Sequence, residues 1–432
     1  MSFSTLFSRF KAWVADLTVG GAWGRTLTTP QQRSLHWFWF DGFFASASDN
    51  IMLNFVSLYI IALGASGAQV GMMSSISSIV SACVLLPGAL LAERSLRKKP
   101  VTLSFGINGR FAILMLVFVP ILFKGPAAIW IAIAFSVLRD ASNYAGYPAW
   151  MDLTNSVVPI EGRGRYFGSR NFIMGITGML TTLLAGKLIT LFTSVTGYQI
   201  ALAAAFVFGM ASSFSFSHID EDAVSIAPVK TRRSFNPREL VAMFKEQPHF
   251  VALTATAALW NFAIYIAGPF FNVQMVNVLK FSAATVGLLN VISTLASLLT
   301  SKRIGGLADR MSNRKLQLIS MILIPLLPTA WLFVTAAWQV AIINSFSGVF
   351  WGVFNLVSFN LLLASVPCDQ VPRYSAIYQV VVLLAIALGS AVGSAIIELW
   401  GFTAVLIGST VMRVVAAVVF ARFVHEPAST NK

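Results

Sequence analysis

Apolar residues run through this chain in long blocks separated by short polar stretches. The blocks are roughly 18 to 30 residues long, and a helix needs about 20 residues to cross the apolar core of a bilayer. The pattern predicts twelve spans, at about 36–62, 68–91, 101–122, 126–150, 172–194, 197–217, 249–278, 282–301, 316–336, 338–365, 376–399 and 402–422. Strands of a transmembrane barrel would give short alternating segments instead, and the chain has no such rhythm. The polar stretch 218–248 separates two groups of six spans. It holds Asp220, Glu221, Asp222, Lys230, Arg232, Arg233 and Arg238 with Pro228, Pro237 and Pro248, and it reads as a linker. The expected organisation is therefore a segment 1–35, a six-helix bundle 36–217, a linker 218–248, a second bundle 249–424 and a tail 425–432.

Before the first span, Phe3, Leu6, Phe7, Phe10, Trp13, Val14 and Leu17 recur at helical spacing with Arg9 and Lys11 between them. That pattern predicts a short helix lying on the membrane surface, with a plain polar tail as the alternative. No cleavable signal peptide is expected there.

Composition sharpens the membrane reading. Of 432 residues, 57% are hydrophobic and 11% charged, against about 25% charged in a soluble globular chain. The net charge of +14 would suggest nucleic acid in a soluble protein. In a membrane protein, basic residues collect in cytoplasmic loops. With both termini inside, 24 of the 30 Lys and Arg residues fall in inner segments and only Lys124 and Lys280 in outer loops. The other four, Arg110, Arg139, Lys187 and Arg413, fall within spans. A missed or extra span would scramble that asymmetry, so it supports twelve spans with cytoplasmic ends. The setting implied is a cell membrane, bacterial inner or plasma, with lipid as surroundings and no nucleic acid partner. Cys83 and Cys368 are too few for a disulfide framework and are expected to be free thiols.

The two halves resemble each other. Val158-Pro159-Ile160-Glu161 leads to Arg165-Tyr166, and 208 residues later Val366-Pro367-Cys368-Asp369 leads to Arg373-Tyr374 without a gap. The same register sets Asp152 opposite Asn360 and Asn171 opposite Gln379. A second pair is Leu91-Ala92-Glu93-Arg94 with Leu307-Ala308-Asp309-Arg310. The fold class expected is thus all-α and polytopic, with twelve transmembrane helices in two pseudo-symmetric six-helix bundles.

The segment Gly305-Gly306-Leu307-Ala308-Asp309-Arg310-Met311-Ser312-Asn313-Arg314-Lys315 resembles the loop signature of the major facilitator superfamily, whose members are built from parallel six-helix repeats. The copy between the second and third spans, Gly88 to Lys99, departs from the family pattern, with Glu93 where Asp is usual and a shifted glycine. The loop Glu161 to Arg170 resembles bacterial members of undefined substrate. The resemblance implies a secondary transporter rather than an enzyme, working by alternating access. An acid at a helix end can face a helix N-terminus or an arginine across a gap, giving a latch. Glu93, Arg94, Asp309, Arg310, Arg314, Asp152, Arg165 and Arg373 are the gating residues this suggests; plain topological charge is the alternative.

The same resemblance implies that spans 1, 4, 7 and 10 line a central cavity. Ionisable groups at membrane depth are expensive, so they usually face a cavity or a partner. Span 1 carries Asp41, Ala45, Ser48, Asp49 and Met52 along one stripe, and span 4 carries Arg139, Asn143, Gly146, Tyr147 and Trp150. An Asp49–Arg139 pair is the sharpest expectation. It serves proton coupling, with Asp41 as a further participant, or it is a fixed structural pair; Arg139 could instead take Asp140 or an anionic solute. Span 7 carries Asn261, Tyr265, Gly268 and Asn272, and span 10 carries Asn344, Gly348, Trp351 and Asn355. The spacing i, i+4, i+7, i+11 puts each of these sets of four on one helix face, and Trp260 and Gln274 join them in one polar, aromatic wall. The expected solute site is Asp49, Arg139, Asn143, Tyr147, Trp260, Asn261, Tyr265, Asn272, Trp351 and Asn355. Amides and rings suit an organic solute with hydrogen-bonding groups and an apolar face; hydrogen bonding between helices is the alternative.

No P-loop is present, which argues against ATP-driven pumping. His36, His218, His249 and His425 are scattered and suggest no metal site. No cofactor is expected. The family's drug/proton antiporters usually carry a Gly-Pro element in the fifth span, where this chain has Gly178-Met179. The expected function is secondary active transport of a small organic solute, with protons as the coupling partner and a monomer as the working unit. Multidrug efflux is the alternative, followed by a lipid-handling carrier or a non-transporting receptor.

Overall fold

The computed structural model describes residues 17–192, 195–221, 247–308, 311–366 and 371–425. Among these residues all regular secondary structure is helical. The first six long helices are α1 (Thr29–Ala62), α2 (Gly67–Arg94), α3 (Lys98–Leu122), α4 (Pro126–Val157), α5 (Arg163–Leu191) and α6 (Thr196–Ser217). The next six are α7 (Pro248–Val278), α8 (Ala283–Ala308), α9 (313–331), α10 (Ala337–Ala364), α11 (371–400) and α12 (402–423). The last two run on from one another across Gly401, whose φ of 77° breaks the helical path. Such a backbone is strained for any residue with a Cβ.

These twelve helices match the spans read from the hydrophobic pattern, but several ends do not. Helices α1, α4 and α5 begin or end up to nine residues beyond the expected spans. The extensions are polar, as in Thr29-Pro30-Gln31-Gln32-Arg33, so a pattern that tracks lipid contact stops before the helix does. Two helices are interrupted. In α7, Gly268 and Pro269 keep helical dihedral angles, but the regular hydrogen-bond pattern is interrupted there and resumes as a short turn Phe270–Val273 followed by a π-turn Gln274–Val278. Proline removes a backbone donor and crowds the preceding carbonyls, and Pro325 divides α9 in the same way into Asn313–Leu323 and Leu326–Trp331.

The chain forms two compact units. One comprises 1–56, 84–124 and 134–232; the other comprises 57–83, 125–133 and 233–432. In this grouping the later part of α1, most of α2 and the start of α4 fall in the second unit. Within that unit, Ser74 Oγ lies 3.0 Å from Ser390 Oγ of α11, and Ser75 Oγ donates to the Ala387 carbonyl at 2.9 Å.

The first unit closes one end with an aromatic core of Leu35, Phe38, Trp39, Leu153, Tyr166 and Phe216 from α1, α4, α5 and α6. The Tyr166 hydroxyl donates to the Leu35 carbonyl at 2.7 Å, and its ring stacks on Phe38. The second unit repeats the motif, since Tyr374 packs edge-on against Phe250 of α7 with ring centroids 4.7 Å apart.

The repeat extends to the loops. Lys99 Nζ, at the head of α3, donates to the carbonyls of Ser217 and Ile219 at the end of α6. Arg314, at the head of α9, donates to the carbonyls of Ala421 and Val424 at the end of α12. Cations favour helix C-termini because the last carbonyls have no partner within the helix. Asp152 forms an ion pair with Lys98 at 3.6 Å, and its counterpart Asn360 bonds Asn313 at 3.5 Å. Arg314, expected as a latch residue, is therefore occupied as a cap. Glu93, Arg94 and Arg165 are exposed, and Arg163 caps the last carbonyls of α4, at Asn155 and Val158. The expected surface helix before Leu17, most of the linker, Asp309, Arg310, Cys368 and the side chain of Arg373 lie outside the described residues.

Candidate functional site

Helix α1 brings two acids to two different ion pairs in the first unit. Asp49 lies near the middle of the helix. Its Oδ1 accepts from Arg139 Nη2 of α4 at 2.6 Å and from Arg110 Nη1 of α3 at 3.1 Å. Arg139 Nη1 also donates to Asp140 Oδ1 at 2.9 Å. The result is a four-residue network of two acids and two guanidiniums. Charge-assisted hydrogen bonds of this kind are among the stronger ones.

Exposure divides the network. The arginine side chains are 10% and 15% exposed, whereas Asp49 is 46% and Asp140 36% exposed. The cations lie beneath and the carboxylates face open space. Nε of both arginines is buried without a hydrogen-bond partner. Room for Arg110 comes from Gly209 of α6, because a Cβ there would lie 2.4 Å from Arg110 Cδ. The expected Asp49–Arg139 contact and the alternative Arg139–Asp140 contact both occur, and Arg110 joins them as a third contact that the sequence does not predict. Its signal is an arginine at membrane depth; which helix it reaches cannot be read from span 3 alone.

Asp41 makes the other pair. Its Oδ2 accepts from Arg170 Nη2 of α5 at 3.1 Å, and its Oδ1 accepts from the Ser212 hydroxyl of α6 at 2.7 Å. Arg170 is further occupied by the Phe38 carbonyl at 3.1 Å, by Met174 Sδ and by the Phe38 ring, 4.2 Å from the guanidinium carbon. Both side chains are at most 8% exposed. This pair has the geometry of a closed internal tie.

Further along α4, Tyr147 is exposed and stacks on Trp150 of the same helix, and Asn143 is half-buried. Asn50, next to Asp49, turns away toward α5, bonding the Ser46 carbonyl while Gly178 makes room for its amide.

The second unit offers aromatic rings and amides. Trp260 is buried and stacks on Phe354 at 5.4 Å, with Trp351 beside both rings. Asn261 donates to the Ala257 carbonyl of its own helix; Tyr265, Asn272 and Trp351 are half-buried, and Asn355 is exposed. The α10 set does not share one environment. Asn344 donates to the Leu289 carbonyl of α8 at 2.8 Å, and a Cβ on Gly348 would lie 2.0 Å from the Ser293 carbonyl oxygen. Those two positions are packing contacts with α8. Arg413 of α12 is buried, and its Nε reaches no partner.

The chain matches the Major Facilitator Superfamily over residues 38–275 and again over 253–432. It belongs to that family. Curated relatives include the multidrug resistance protein MdtG of Salmonella dublin and of Salmonella typhi, each 25% identical over 386 residues, 87% of this chain and 91% of the relative. Solved structures of the same fold include a point mutant of the nucleoside transporter NupG, with 14% identity, TM-score 0.70, 91% of this chain and all of that one covered. A D-xylose–proton symporter matches with 12% identity, TM-score 0.68 and coverage of 90% and 97%. An inward-facing, unoccupied bacterial homologue of the lysosomal transporter Spinster matches with 12% identity, TM-score 0.71 and coverage of 93% and 100%. This major facilitator protein is a multi-pass membrane protein of twelve helices, and its function is secondary transport of a small solute.

Proposed function

We propose that this family member couples movement of a small organic solute to protons through Asp49. The observation that carries the proposal is the asymmetry of the network: a half-exposed carboxylate held by two buried guanidiniums. Proton uptake by Asp49 would cancel its charge and loosen both arginines. The pair is then free to rearrange, or to accept an anionic group of the solute. Alternating access needs a bistable element of this kind near the bilayer midplane. Within the first unit we assign Asn143 and Tyr147 of α4 as further solute contacts, and within the second unit Asn261, Tyr265, Asn272, Trp351 and Asn355 of α7 and α10. Trp260 acts from behind, as a buried support for Trp351. Asp152 with Lys98 serves as the inner tie, and both termini lie in the cytoplasm of a cell whose inner or plasma membrane holds the protein as a monomer.

The test is solute flux in proteoliposomes with and without an imposed pH gradient. Wild-type flux is expected to follow the gradient, and Asp49→Asn to lose that dependence. Flux indifferent to the gradient, with Asp49→Asn at full rate, would defeat the coupling.

Export of drug-like compounds is a second reading, favoured by the named activity of the MdtG relatives across most of the chain's length. Drug tolerance of an expressing strain separates it from uptake: raised tolerance supports export, and unchanged tolerance with accumulation of a nutrient class supports uptake.

A further inference from the structure

The interior of the second unit contains a small, mostly enclosed pocket of about 20 Å³. Its walls come from five helices, through Trp260 of α7, Gln317 and Met321 of α9, Ser358 of α10, Tyr378 of α11 and Phe420 of α12. Three of the polar atoms on these residues, Trp260 Nε1, Gln317 Oε1 and Ser358 Oγ, are buried and reach no hydrogen-bond partner in the protein. Trp260 is 1% exposed and Gln317 5% exposed. Buried polar atoms in folded proteins are nearly all paired, with ordered water when not with protein. Three unpaired atoms around one cavity therefore need a common explanation.

The chemistry narrows the occupant. An indole N–H only donates, an amide oxygen only accepts, and a hydroxyl does either. A metal cation would meet the indole N–H, and an anion would meet the amide oxygen. A water molecule both accepts and donates. A cavity must offer about 10–15 Å³ by the same measure to hold one water, and buried waters usually make about three hydrogen bonds. The volume and the number of unpaired atoms agree on a single molecule.

We propose that one structural water occupies this pocket, accepting from Trp260 Nε1, donating to Gln317 Oε1 and bonding Ser358 Oγ. It links α7, α9 and α10 where their side chains do not reach one another. A water can re-aim its bonds, so α7 and α10 can shift against α9 without leaving a buried group unpaired. This inference does not depend on the solute or on proton coupling.

Hydroxyl-radical footprinting of the full chain in lipid nanodiscs tests it, because radicals generated from a bound water label the residues beside it. Met321 is buried and lines the pocket; Met275, also buried, does not line it. The native chain is expected to show Met321 labelled several-fold faster than Met275. Equal or slower labelling of Met321 would overturn the proposal, and that comparison needs no variant. In monodisperse Gln317→Leu/Ser358→Ala protein, which removes two of the three partners, Met321 labelling is expected to fall to the Met275 level. Labelling that persists at the native rate would overturn the assignment of those partners.

Discussion

Asp41 and Asp49 stand two turns apart on one helix, and each meets an arginine from another helix, yet their surroundings differ. Asp41 has both carboxylate oxygens filled, and its partner Arg170 is bonded on every side. Asp49 receives two guanidiniums on the same oxygen and remains 46% exposed. A carboxylate sealed with its partner has nothing left to exchange. A carboxylate open to water above buried cations can take a proton or yield its place to another anion. Both acids fall within the first predicted span, Asp41 near its inner end and Asp49 near its middle; saturation of hydrogen bonds and exposure tell their roles apart.

The sharpest way to break this comparison is to neutralise each acid in turn. Asp41→Asn leaves Arg170 buried without its charge partner, and removing one member of a buried pair costs about 3–5 kcal/mol. A large fall in melting temperature and in the yield of folded protein is expected. Asp49→Asn should lower melting by less, because Arg139 keeps its bond to Asp140 at 2.9 Å and Arg110 keeps Ser48 at 3.5 Å, while flux falls at least about tenfold if coupling contributes the ~1.4 kcal/mol that a factor of ten represents. Thermal melts in detergent and flux in proteoliposomes, run on both variants, decide the matter. An Asp49→Asn protein that unfolds while Asp41→Asn transports normally would reverse the two assignments.

A second prediction acts through the space that positions Arg110. In Gly209→Ala the new methyl would lie 2.4 Å from Arg110 Cδ, closer than real Cβ contacts allow. The side chain must shift, and the Arg110–Asp49 bond with it. Gly42→Ala does the same to Arg170, since its Cβ would lie 2.6 Å from Nε. The expected split is lower flux for Gly209→Ala, on the order of several-fold, and lower melting temperature for Gly42→Ala, since overpacking costs about 1–3 kcal/mol. Equal effects of both on flux would erase the distinction between the two pairs.

What the chain's pattern reveals, and what it conceals, follows from the same physics. Twelve helices and their repeat are legible because lipid demands long apolar runs and the loop motifs recur at one offset. Among the described residues, nine helices pass a simple test of length and apolarity, one of them containing both α11 and α12. Helix α4 carries Arg139 and Asp140 in mid-span and α9 is cut by Pro325, and neither is among the nine. The polar ends of α1 and α4 are hidden because helix continues where lipid contact stops. Asp49 and Arg139 can be paired on paper because both sit at mid-depth on helices assigned to one cavity. Arg110 cannot, since its reach depends on the gap left by Gly209 on a third helix.

The smallest effect tests the two ends of α10. Asn344 and Asn355 have the spacing of a single face, but Asn344 bonds the α8 backbone and Asn355 is exposed. Hydrogen bonds between membrane helices contribute about 0.6 kcal/mol on average, less than their apolar setting suggests. Asn344→Ala is therefore expected to lower the melting temperature by only a degree or two and leave the apparent affinity for solute unchanged. Asn355→Ala should leave melting alone and weaken solute binding by a factor of a few, as loss of one hydrogen bond of about 1 kcal/mol requires. Titration of solute against flux, beside a melt of each variant, reads both. If affinity responds to position 344 and not to 355, α10 presents its other face to the solute, and the contacts assigned to Trp351 and Asn355 must move with it.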